Sequence, residues 1–414
     1  MVAEKNSTYG WFIITLASLT NLIGVGIPIM CLPVLFKDIS HELDLSLVQV
    51  GLVWGAGAIA SMITNPFGGL MSDRFGIKRV LSIACMLAGL AGAARGMAPN
   101  FPVLLLAVFC VGFFQNTIVL TAHKSTGIWF TGRKVVLANG LVSTGIAVGM
   151  MLGAMISDAV MVPLLGGWRH VLIAYGAATF AMGLLWTLTR GEEGQTPLNQ
   201  GAQNQGNGQM VFFRSISRML RARTVWGFGV IHFCIIGSIM GMIGYLPLYL
   251  RSIGWAPTAA DGALAALNAA GMLAAIPLSI LSSRSGLRKG ILIPMIFVSM
   301  VSLAVLPFVN NAMVWFLVIL FGLLRDGYFA ILMTMIIEAK GIGPAYAGTA
   351  MGVIFSIGNF GVFLSAPIGN RLAAANPSYA FIFWAVLMLL SIVAFRFTRE
   401  KSFMVKRDGP APSR

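Results

Sequence analysis

Two charged residues, Arg325 and Asp326, stand side by side in an apolar segment that runs from about Trp315 to Ile337. With a helical rise of about 1.5 Å per residue, Arg325 lies roughly 15 Å from each end, near the middle of a hydrocarbon layer about 30 Å thick. An isolated charge at that depth costs at least about 2.5 kcal/mol, and such residues almost always face a partner or a water-filled path. The pair is therefore the leading candidate for a functional site.

Arg325 and Asp326 allow two interpretations. The guanidinium of Arg325 is always charged and can grip a carboxylate, a phosphate or a nitrate with two donors. In the first interpretation Arg325 binds an anionic substrate, and Asp326 takes up or releases a proton when the substrate binds or leaves. In the second, both residues belong to a structural charge network with partners elsewhere. Asp326 lies about 100° further around the helix, where it can hold Arg325 or titrate.

Six other polar side chains fall at a similar depth in apolar segments and are candidates for substrate binding. Each could instead form a hydrogen bond between helices, which is a common role for polar groups in membranes. Histidine titrates near neutral pH, but a lone histidine also serves as a packing residue. Gln115 is the best of the six, because it occupies in the first half of the chain the place of Arg325 in the second. The six are Asn21, Gln115, Asn116, His232, Asn268 and Asn359.

The elements that position these residues are predicted to be membrane helices. Of the 414 residues, 57% are hydrophobic and 10% are charged, whereas a soluble domain carries about 25% charged residues. No ten-residue alternating pattern is present, so helices rather than barrel strands must satisfy the backbone in lipid. The sequence predicts an all-α integral membrane protein with twelve spans, near residues 11–36, 48–71, 80–98, 102–122, 135–157, 170–189, 226–249, 258–281, 290–308, 314–337, 346–368 and 379–397.

The distribution of Lys and Arg predicts the orientation of these spans. With the N-terminus inside, 22 of the 28 basic residues fall in cytoplasmic segments and five in external ones, Arg325 being the remaining residue. Because cytoplasmic loops carry the excess of positive charge, we expect a multi-pass protein of the plasma (cytoplasmic) membrane with both termini cytoplasmic. The net charge of +15 is then a topology signal and gives no support to a nucleic-acid partner. Asp158, at the outer end of span 5, is expected to reach the external surface.

A change of composition divides the chain into two halves. Residues 191–209 are rich in Gly, Gln and Asn and predict a flexible linker. Residues 211–223, VFFRSISRMLRAR, alternate arginines with Phe212, Ile216 and Leu220 at helical spacing, which predicts a short basic helix in the cytoplasmic interface, or else a solvated basic turn. The predicted division is an N-terminal six-helix bundle (1–190), a linker (191–224) and a C-terminal six-helix bundle with its tail (225–414).

Matching segments in the two halves indicate an internal duplication. GFFQN at residues 112–116 in span 4 matches GLLRD at 322–326 in span 10, and Ser143-Thr144-Gly145 in span 5 matches Ser356-Ile357-Gly358 in span 11. Both pairs are offset by a little over two hundred residues. Parallel repeats of this kind place a binding site at the membrane midplane between the halves. Gly145, Gly149 and Gly153 also recur every four residues, which predicts a close contact of span 5 with another helix.

The loop between spans 2 and 3 reads GLMSDRFGIKR over residues 69–79. Gly76 permits a tight turn, Gly69 permits close approach of helices, and Asp73 can accept hydrogen bonds from backbone or arginine. This loop resembles the signature of the major facilitator superfamily, Gly-x-x-x-Asp-Arg/Lys-x-Gly-x-Arg/Lys-Arg/Lys, at every position. A degenerate copy, SRSGLRK, occupies residues 283–289 in the second half and has serine in place of Asp73.

The resemblance implies a fold of twelve helices in two pseudosymmetric bundles and transport by alternating access. It also implies that Asp73 holds the cytoplasmic ends of the halves together, near the first turn of span 11, where the positive end of a helix dipole would face the carboxylate. The alternative is that the loop only sets orientation through its positive charge. The residues expected to take part in gating are Gly69, Asp73, Arg74, Gly76, Lys78, Arg79 and Arg284.

Together these features favour a secondary active transporter for a small organic anion of the carboxylate type, coupled to protons as a symporter or working by exchange. The alternatives are proton-driven efflux of an apolar or cationic compound, and a sensor of the same fold that does not transport. The sequence shows no paired nucleophile and base, no metal-ligand spacing among its four cysteines and no Gly-rich loop ending in Lys-Ser/Thr, so no enzyme, cofactor or metal is predicted. We expect the lipid bilayer and a small-molecule substrate as partners, and function as a monomer.

Overall fold

The computed structural model describes residues 7–65, 71–72, 75–189, 217–285, 288–339 and 343–397. Within these residues the secondary structure is helical. Two long helices, α1 and α5, are each interrupted by a π-helical turn, and α9 ends in a short 3-10 turn. The helices are α1 (Ser7–Asn21 and Ile27–Glu42), α2 (Leu47–Thr64), α3 (Ile77–Gly96), α4 (Phe101–Trp129), α5 (Arg133–Ile156 and Val162–Leu165), α6 (Trp168–Leu188), α7 (Arg223–Ser252), α8 (Pro257–Ser285), α9 (Arg288–Val305), α10 (Asn311–Glu338), α11 (Gly343–Ala375) and α12 (Pro377–Phe397).

These helices confirm the predicted all-α membrane fold. Among the described residues, eleven of the twelve are long and apolar enough to cross a membrane, and the twelfth, α8, has 29 residues. Several helices carry large apolar side chains on their outer faces, such as Leu90, Leu106, Leu188 and Leu390, which are at least half exposed. Such faces are suited to contact with lipid chains, which have no polar groups to lose.

The N-termini of α4 and α10 lie at equivalent positions of the internal duplication. Asn100 Oδ1 accepts a hydrogen bond from the Val103 amide (3.2 Å), and Asn310 Oδ1 accepts one from the Met313 amide (3.0 Å). An asparagine at this position satisfies an amide that the first turn leaves without a partner. Each cap lies fifteen residues before a polar residue of interest, Gln115 in α4 and Arg325 in α10.

Glycines allow α1 and α5 to pack with their backbones in contact. A Cβ atom built on Gly149 would lie 2.6 Å from the carbonyl oxygen of Leu22, and one on Gly153 would lie 2.7 Å from that of Ile27. A Cβ on Gly145 would overlap the carbonyl oxygen of Ser18. The close contact predicted from the four-residue spacing is therefore confirmed.

Two π-helical turns were not predicted from the sequence. Leu22–Gly26 interrupts α1, and Ser157–Met161 interrupts α5. In the first turn, Gln115 Nε2 donates to the Gly24 carbonyl (3.0 Å) and Thr179 Oγ1 to the Ile23 carbonyl (3.3 Å). Side chains of α4 and α6 thus bind carbonyls that the irregular turn exposes, as polar groups do where a membrane helix is broken.

The two halves contact each other on one side of the molecule. We call the side where α6 ends and α7 begins the linker side, and the opposite side the distal side. Near the distal side, a Cβ on Gly51 of α2 would lie 2.6 Å from the Pro367 Cα of α11. Among the described residues, three hydrogen bonds join the halves, and all lie from mid-helix toward the distal side: Trp54 Nε1 to the Met240 carbonyl (2.7 Å), Asn370 Nδ2 to the Leu47 carbonyl (2.9 Å) and Arg251 to Asp158.

The described linker portion of α11 is less closely packed than its distal portion. Ideal Cβ atoms on Gly348 and Gly352, in the linker portion of α11, have no heavy atom within 4 Å. The structure therefore represents a conformation in which the halves are closed on the distal side. In a transporter built from two rocking halves, this is one of the two end states of alternating access.

The segment before α7 is helical over residues 217–221. This agrees with the predicted short basic helix, whose first half lies outside the described residues. Leu220, on the predicted apolar face, is 45% exposed, and Met219 is fully buried in the core that includes Val225 and Phe228. The backbone at Ala222, between the short helix and α7, is extended. The division of the chain at 190 and 224 remains a prediction.

The α1–α5 contact generates a test of this packing. Gly149→Ala should lower the thermal unfolding temperature of the purified protein in detergent, because the added methyl group collides with backbone atoms of α1, and overpacking of this kind costs about 1–3 kcal/mol. Gly140→Ala is the matched control on the same helix, since an ideal Cβ there meets no atom within 4 Å. It should leave stability unchanged or raise it. Equal destabilisation by both substitutions would contradict the described packing.

Candidate substrate and coupling site

Arg325 and Asp326 form an ion pair with each other within α10. Arg325 Nε donates to Asp326 Oδ1 (2.7 Å) and Nη2 donates to Oδ2 (3.0 Å), so two nearly parallel bonds join the guanidinium to the carboxylate. Nη1 donates to Asn268 Oδ1 of α8 (3.0 Å). The side chain of Arg325 is 7% exposed and that of Asp326 is 32% exposed. The arginine is thus buried and neutralised, and the aspartate is the more exposed member of the pair.

Two glycines create the space for this arrangement between α8 and α10. A Cβ on Gly271 would overlap Asp326 Oδ2 and lie 3.0 Å from its Cγ, and a Cβ on Gly322 would overlap the carbonyl oxygen of Leu267. Larger residues at these positions would push the helices apart. The amide of Asn268 reaches the guanidinium because the helices are this close.

A small internal cavity borders the guanidinium on its other side. Its volume is about 10 Å³, which is close to the minimum that holds one water molecule. Polar groups at its wall are the side chains of Arg325, Tyr328 and Ser299. The remaining wall is apolar and comes from α7, α9, α10 and α12: Ile235, Ile239, Met295, Ile296, Phe321, Leu324 and Met388.

His232 packs one turn away from the arginine. Its Nδ1 lies 2.5 Å from the hydroxyl of Tyr328, and its ring centroid lies 5.2 Å from that of Phe355. The His232 side chain is buried, and a Cβ on Gly358 would overlap its ring. This geometry favours the packing interpretation of His232, because its ring is held between α10 and α11 by a hydrogen bond and close contacts.

The polar candidates of the first half bond within that half. These bonds join neighbouring helices, so in this conformation the side chains act between helices. The hydrogen bonds run from Asn21 Nδ2 to the Val142 carbonyl (3.3 Å), from Gln115 Nε2 to the Gly24 carbonyl (3.0 Å), and from Asn116 Nδ2 to Thr64 Oγ1 and Asn65 Oδ1 (2.8 Å each).

The remaining polar candidate of the second half, Asn359, lies half-buried on α11.

The predicted gating loop is only partly described. Gly76 has φ +81°, a left-handed conformation that suits glycine, which confirms the predicted tight turn. Lys78 Nζ donates to the Thr189 carbonyl at the end of α6 (2.5 Å), and Arg79 is exposed. Gly69, Asp73 and Arg74 lie outside the described residues, as does the side chain of Arg284. Their gating role remains a prediction.

The structure also shows buried charges that the sequence analysis placed in external segments. Arg95 is 1% exposed and donates from Nη1 to the Pro28 carbonyl (3.2 Å). Arg251 bonds both Asp158 and Asp261. The expectation that Asp158 reaches the external surface is wrong, since its side chain is 12% exposed. Counting charges by their place along the chain cannot detect that a helix end is covered by its neighbours.

Comparison with known proteins identifies the family. A family model described as Major Facilitator Superfamily matches residues 14–366. The chain belongs to the major facilitator superfamily. This is a family of transporters rather than enzymes, and the match runs from α1 into α11 and includes the signature loop.

Individual relatives of this superfamily member are more distant. A probable sulfoacetate transporter of Cupriavidus necator is 25% identical over 226 residues, which cover 51% of this chain and 51% of the relative. A hexuronate transporter of Bacillus subtilis is 27% identical over 150 residues, or 36% of this chain and 34% of the relative. The chain thus matches about half or less of the length of these relatives.

Among solved structures, the fold is similar to a bacterial homolog of the human lysosomal transporter Spinster, in an inward-facing and occupied conformation. The TM-score is 0.72 with 15% sequence identity, and the match covers 95% of this chain and 97% of the other. At this identity the similarity concerns the fold alone.

The unequal exposure of the ion pair predicts unequal effects of its two substitutions. Asp326→Asn should destabilise the protein strongly, by about 3 kcal/mol, because it leaves a buried guanidinium without its counter-charge. Arg325→Gln should cost less, since Asp326 is much less buried than Arg325. The combination of both substitutions should recover most of the loss caused by Asp326→Asn alone. Thermal unfolding of the purified variants measures this, and additive effects of the two substitutions would show that the ion pair does not couple them.

Proposed function

We propose that the protein is a secondary transporter that moves a small organic anion of the carboxylate type across the cytoplasmic membrane by alternating access. Family membership and the two six-helix halves support transport. The distal closure of the halves, and the open space around Gly348 and Gly352 of α11, fit one end state of a rocking mechanism. By the distribution of Lys and Arg, the distal side is external and both termini are cytoplasmic.

The bidentate bond between Arg325 and Asp326 carries the substrate part of this proposal. The two donors that Asp326 occupies, Nε and Nη2, are those with which a guanidinium grips a free carboxylate. A substrate anion therefore competes with Asp326 for the same face of Arg325. Protonation of Asp326 removes its charge and frees that face for the substrate.

This competition supplies a mechanism of coupling. Asp326 is the more exposed member of the pair, so a proton can reach it while the guanidinium stays buried. A proton on Asp326 and an anion on Arg325 leave the net charge of the site unchanged for a monovalent substrate. The site would then change its access from one side of the membrane to the other with both proton and anion bound, which is proton–anion symport. If it returned with a different anion bound, the process would be exchange.

Asn268 has a supporting role in this scheme. Its side chain holds Nη1 of Arg325 from α8 and also donates to the Leu264 carbonyl (2.9 Å) within its own helix. The bond to Leu264 orients the Asn268 side chain, and the bond to Nη1 then holds the guanidinium in place while Nε and Nη2 exchange Asp326 for the substrate. The relatives named for sulfoacetate and hexuronate carry organic anions by their names, which supports the same substrate class here.

Proton-driven efflux of a cationic compound is the second candidate. The observation that favours it is the exposure of Asp326, which exceeds that of Arg325 and would allow a cation to pair with the carboxylate. The two candidates differ in which residue binds the substrate. A sensor of the same fold would bind ligand without any flux across vesicles.

A thermal-shift screen of purified protein against carboxylates, sugar acids, phosphates and cationic drugs tests the substrate class. We expect carboxylates to stabilise the wild type and to lose this effect in Arg325→Gln. Arg371→Gln is the control, because Arg371 is an exposed arginine at the distal end of α11. Stabilisation by cations that is lost in Asp326→Asn, or equal stabilisation of wild type and Arg325→Gln by anions, would contradict the anion proposal.

Uptake of the best ligand into proteoliposomes then tests the coupling. An inward-directed proton gradient should accelerate uptake by the wild type, because protonation of Asp326 breaks its ion pair with Arg325 and leaves the guanidinium free to bind the anion. Arg325→Gln/Asp326→Asn should abolish uptake, and Arg371→Gln should retain it. Ligand binding without any uptake by the wild type would favour the sensor.

A further inference from the structure

Three charged side chains from both halves meet at the distal side. Arg251 lies in the last turn of α7, Asp261 in the second turn of α8, and Asp158 in the π-helical turn of α5. Arg251 Nη2 donates to Asp261 Oδ1 (2.6 Å) and to Asp158 Oδ2 (2.9 Å). Their side chains are 4%, 1% and 12% exposed, respectively. We call these three residues the distal cluster.

The distal cluster contains one more acid than base. Two carboxylates share a single nitrogen of one guanidinium. The neighbouring charges come from α1, where Lys37 and Asp38 both act on Asp158, and their opposite signs leave the excess of one negative charge in place. A buried negative charge that is not matched is far more costly than a buried neutral carboxylic acid. The charge count therefore favours a proton on the cluster.

Unsatisfied polar atoms point to the same conclusion. Asp261 Oδ2 and Arg251 Nε are buried and have no hydrogen-bond partner among the described residues. An ionised carboxylate normally accepts bonds at both oxygens, and leaving one empty in a buried site is costly. Since Asp261 is fully buried, its empty oxygen is the best position for the proton.

The cluster spans the contact that must break when the distal side opens. Asp158 belongs to the first half, whereas Arg251 and Asp261 belong to the second. Separation of the halves removes Asp158 from Arg251 and exposes it to solvent. Arg251 and Asp261 then remain as a pair of equal and opposite charges, for which a proton is no longer required.

We propose that the distal cluster is a proton-binding latch, separate from Arg325 and Asp326, which holds one proton while the distal side is closed and releases it there on opening. No bond other than O–H is broken, and the proton passes from the carboxyl group to distal water. Because the closed state binds the extra proton, acid should favour closure and alkali should favour opening. The proposal depends on the separation of the halves and is independent of the nature of the substrate.

Distances between two spin labels test the latch. Leu164→Cys on α5 and Phe308→Cys after α9 place labels on exposed distal positions of different halves, which are 71% and 69% exposed. Cys110→Ser removes the native cysteine that is only partly buried, since Cys31, Cys85 and Cys234 are buried. Pulsed electron resonance on protein in nanodiscs without substrate then gives the ratio of distal-closed to distal-open molecules.

In the labelled protein we expect this ratio to fall on going from mildly acidic to mildly alkaline buffer, by up to about tenfold per pH unit for a single proton. Asp261→Asn imitates the protonated acid and keeps the Arg251–Asp158 bond, so it should stay closed at every pH. Asp158→Ala removes the bond between the halves and should be more open at every pH. Asp44→Asn is the control, because Asp44 is an exposed distal carboxylate outside the cluster, and it should respond as the parent does.

A ratio that does not change with pH in the parent protein would overturn the proposal. So would a pH response that persists unchanged in Asp261→Asn or in Asp158→Ala, since either substitution removes the excess carboxylate. The two substitutions act in opposite directions on the ratio, so a general loss of stability cannot imitate the expected result. No substrate enters the measurement, and failure of the anion proposal would therefore leave its outcome unaffected.

Discussion

The structure of the second half depends on neutralising one buried guanidinium. Arg325 lies in the middle of a membrane helix, where an unmatched charge is not tolerated. Its nearest carboxylate is its own neighbour, Asp326, and the side chains turn toward each other to form two bonds. This is possible only because Gly271 and Gly322 let α8 and α10 approach until Asn268 can hold the third donor. The close packing of α8 and α10 therefore also determines how the guanidinium of Arg325 is bonded.

In the proposed transport cycle, the two arginine sites have different roles. Arg325, Asp326 and Asn268 lie within one half, so their bonds can persist while the halves rock and an anion is bound. The distal cluster joins the halves, so its bonds change whenever the distal side opens. At the distal cluster two aspartates share one guanidinium, and in our proposal Asp326 shares Arg325 with the substrate. Protons can thus act on affinity and on conformation at different places.

The sequence predicted the architecture well because each signal for it is local. Apolar stretches of bilayer length set the twelve helices, the spacing of Gly149 and Gly153 predicted the α1–α5 contact, and Gly76 predicted the turn. The site was only half predicted. Arg325 and Asp326 were found as charges in an apolar segment, but whether the arginine faces a substrate or its neighbour depends on side-chain rotamers and on the approach of α8.

The distal cluster was missed for a related reason. Arg251 and Asp158 lie near the ends of apolar stretches, where charges are normally solvated, and only the packing of α5 against α7 and α8 buries them. The π-helical turns at Leu22–Gly26 and Ser157–Met161 were likewise not predicted from the sequence. Such features require knowledge of which helices are neighbours.

The central claim is that Asp326 and a substrate anion compete for Arg325. Calorimetric titration of an anion in buffers of different ionisation enthalpy measures it directly, because it counts the protons taken up for each anion bound. The account predicts uptake of about one proton for each anion bound by the wild type, and none in Asp326→Asn. Anion binding that takes up no proton in the wild type, or the same number in Asp326→Asn, would contradict it.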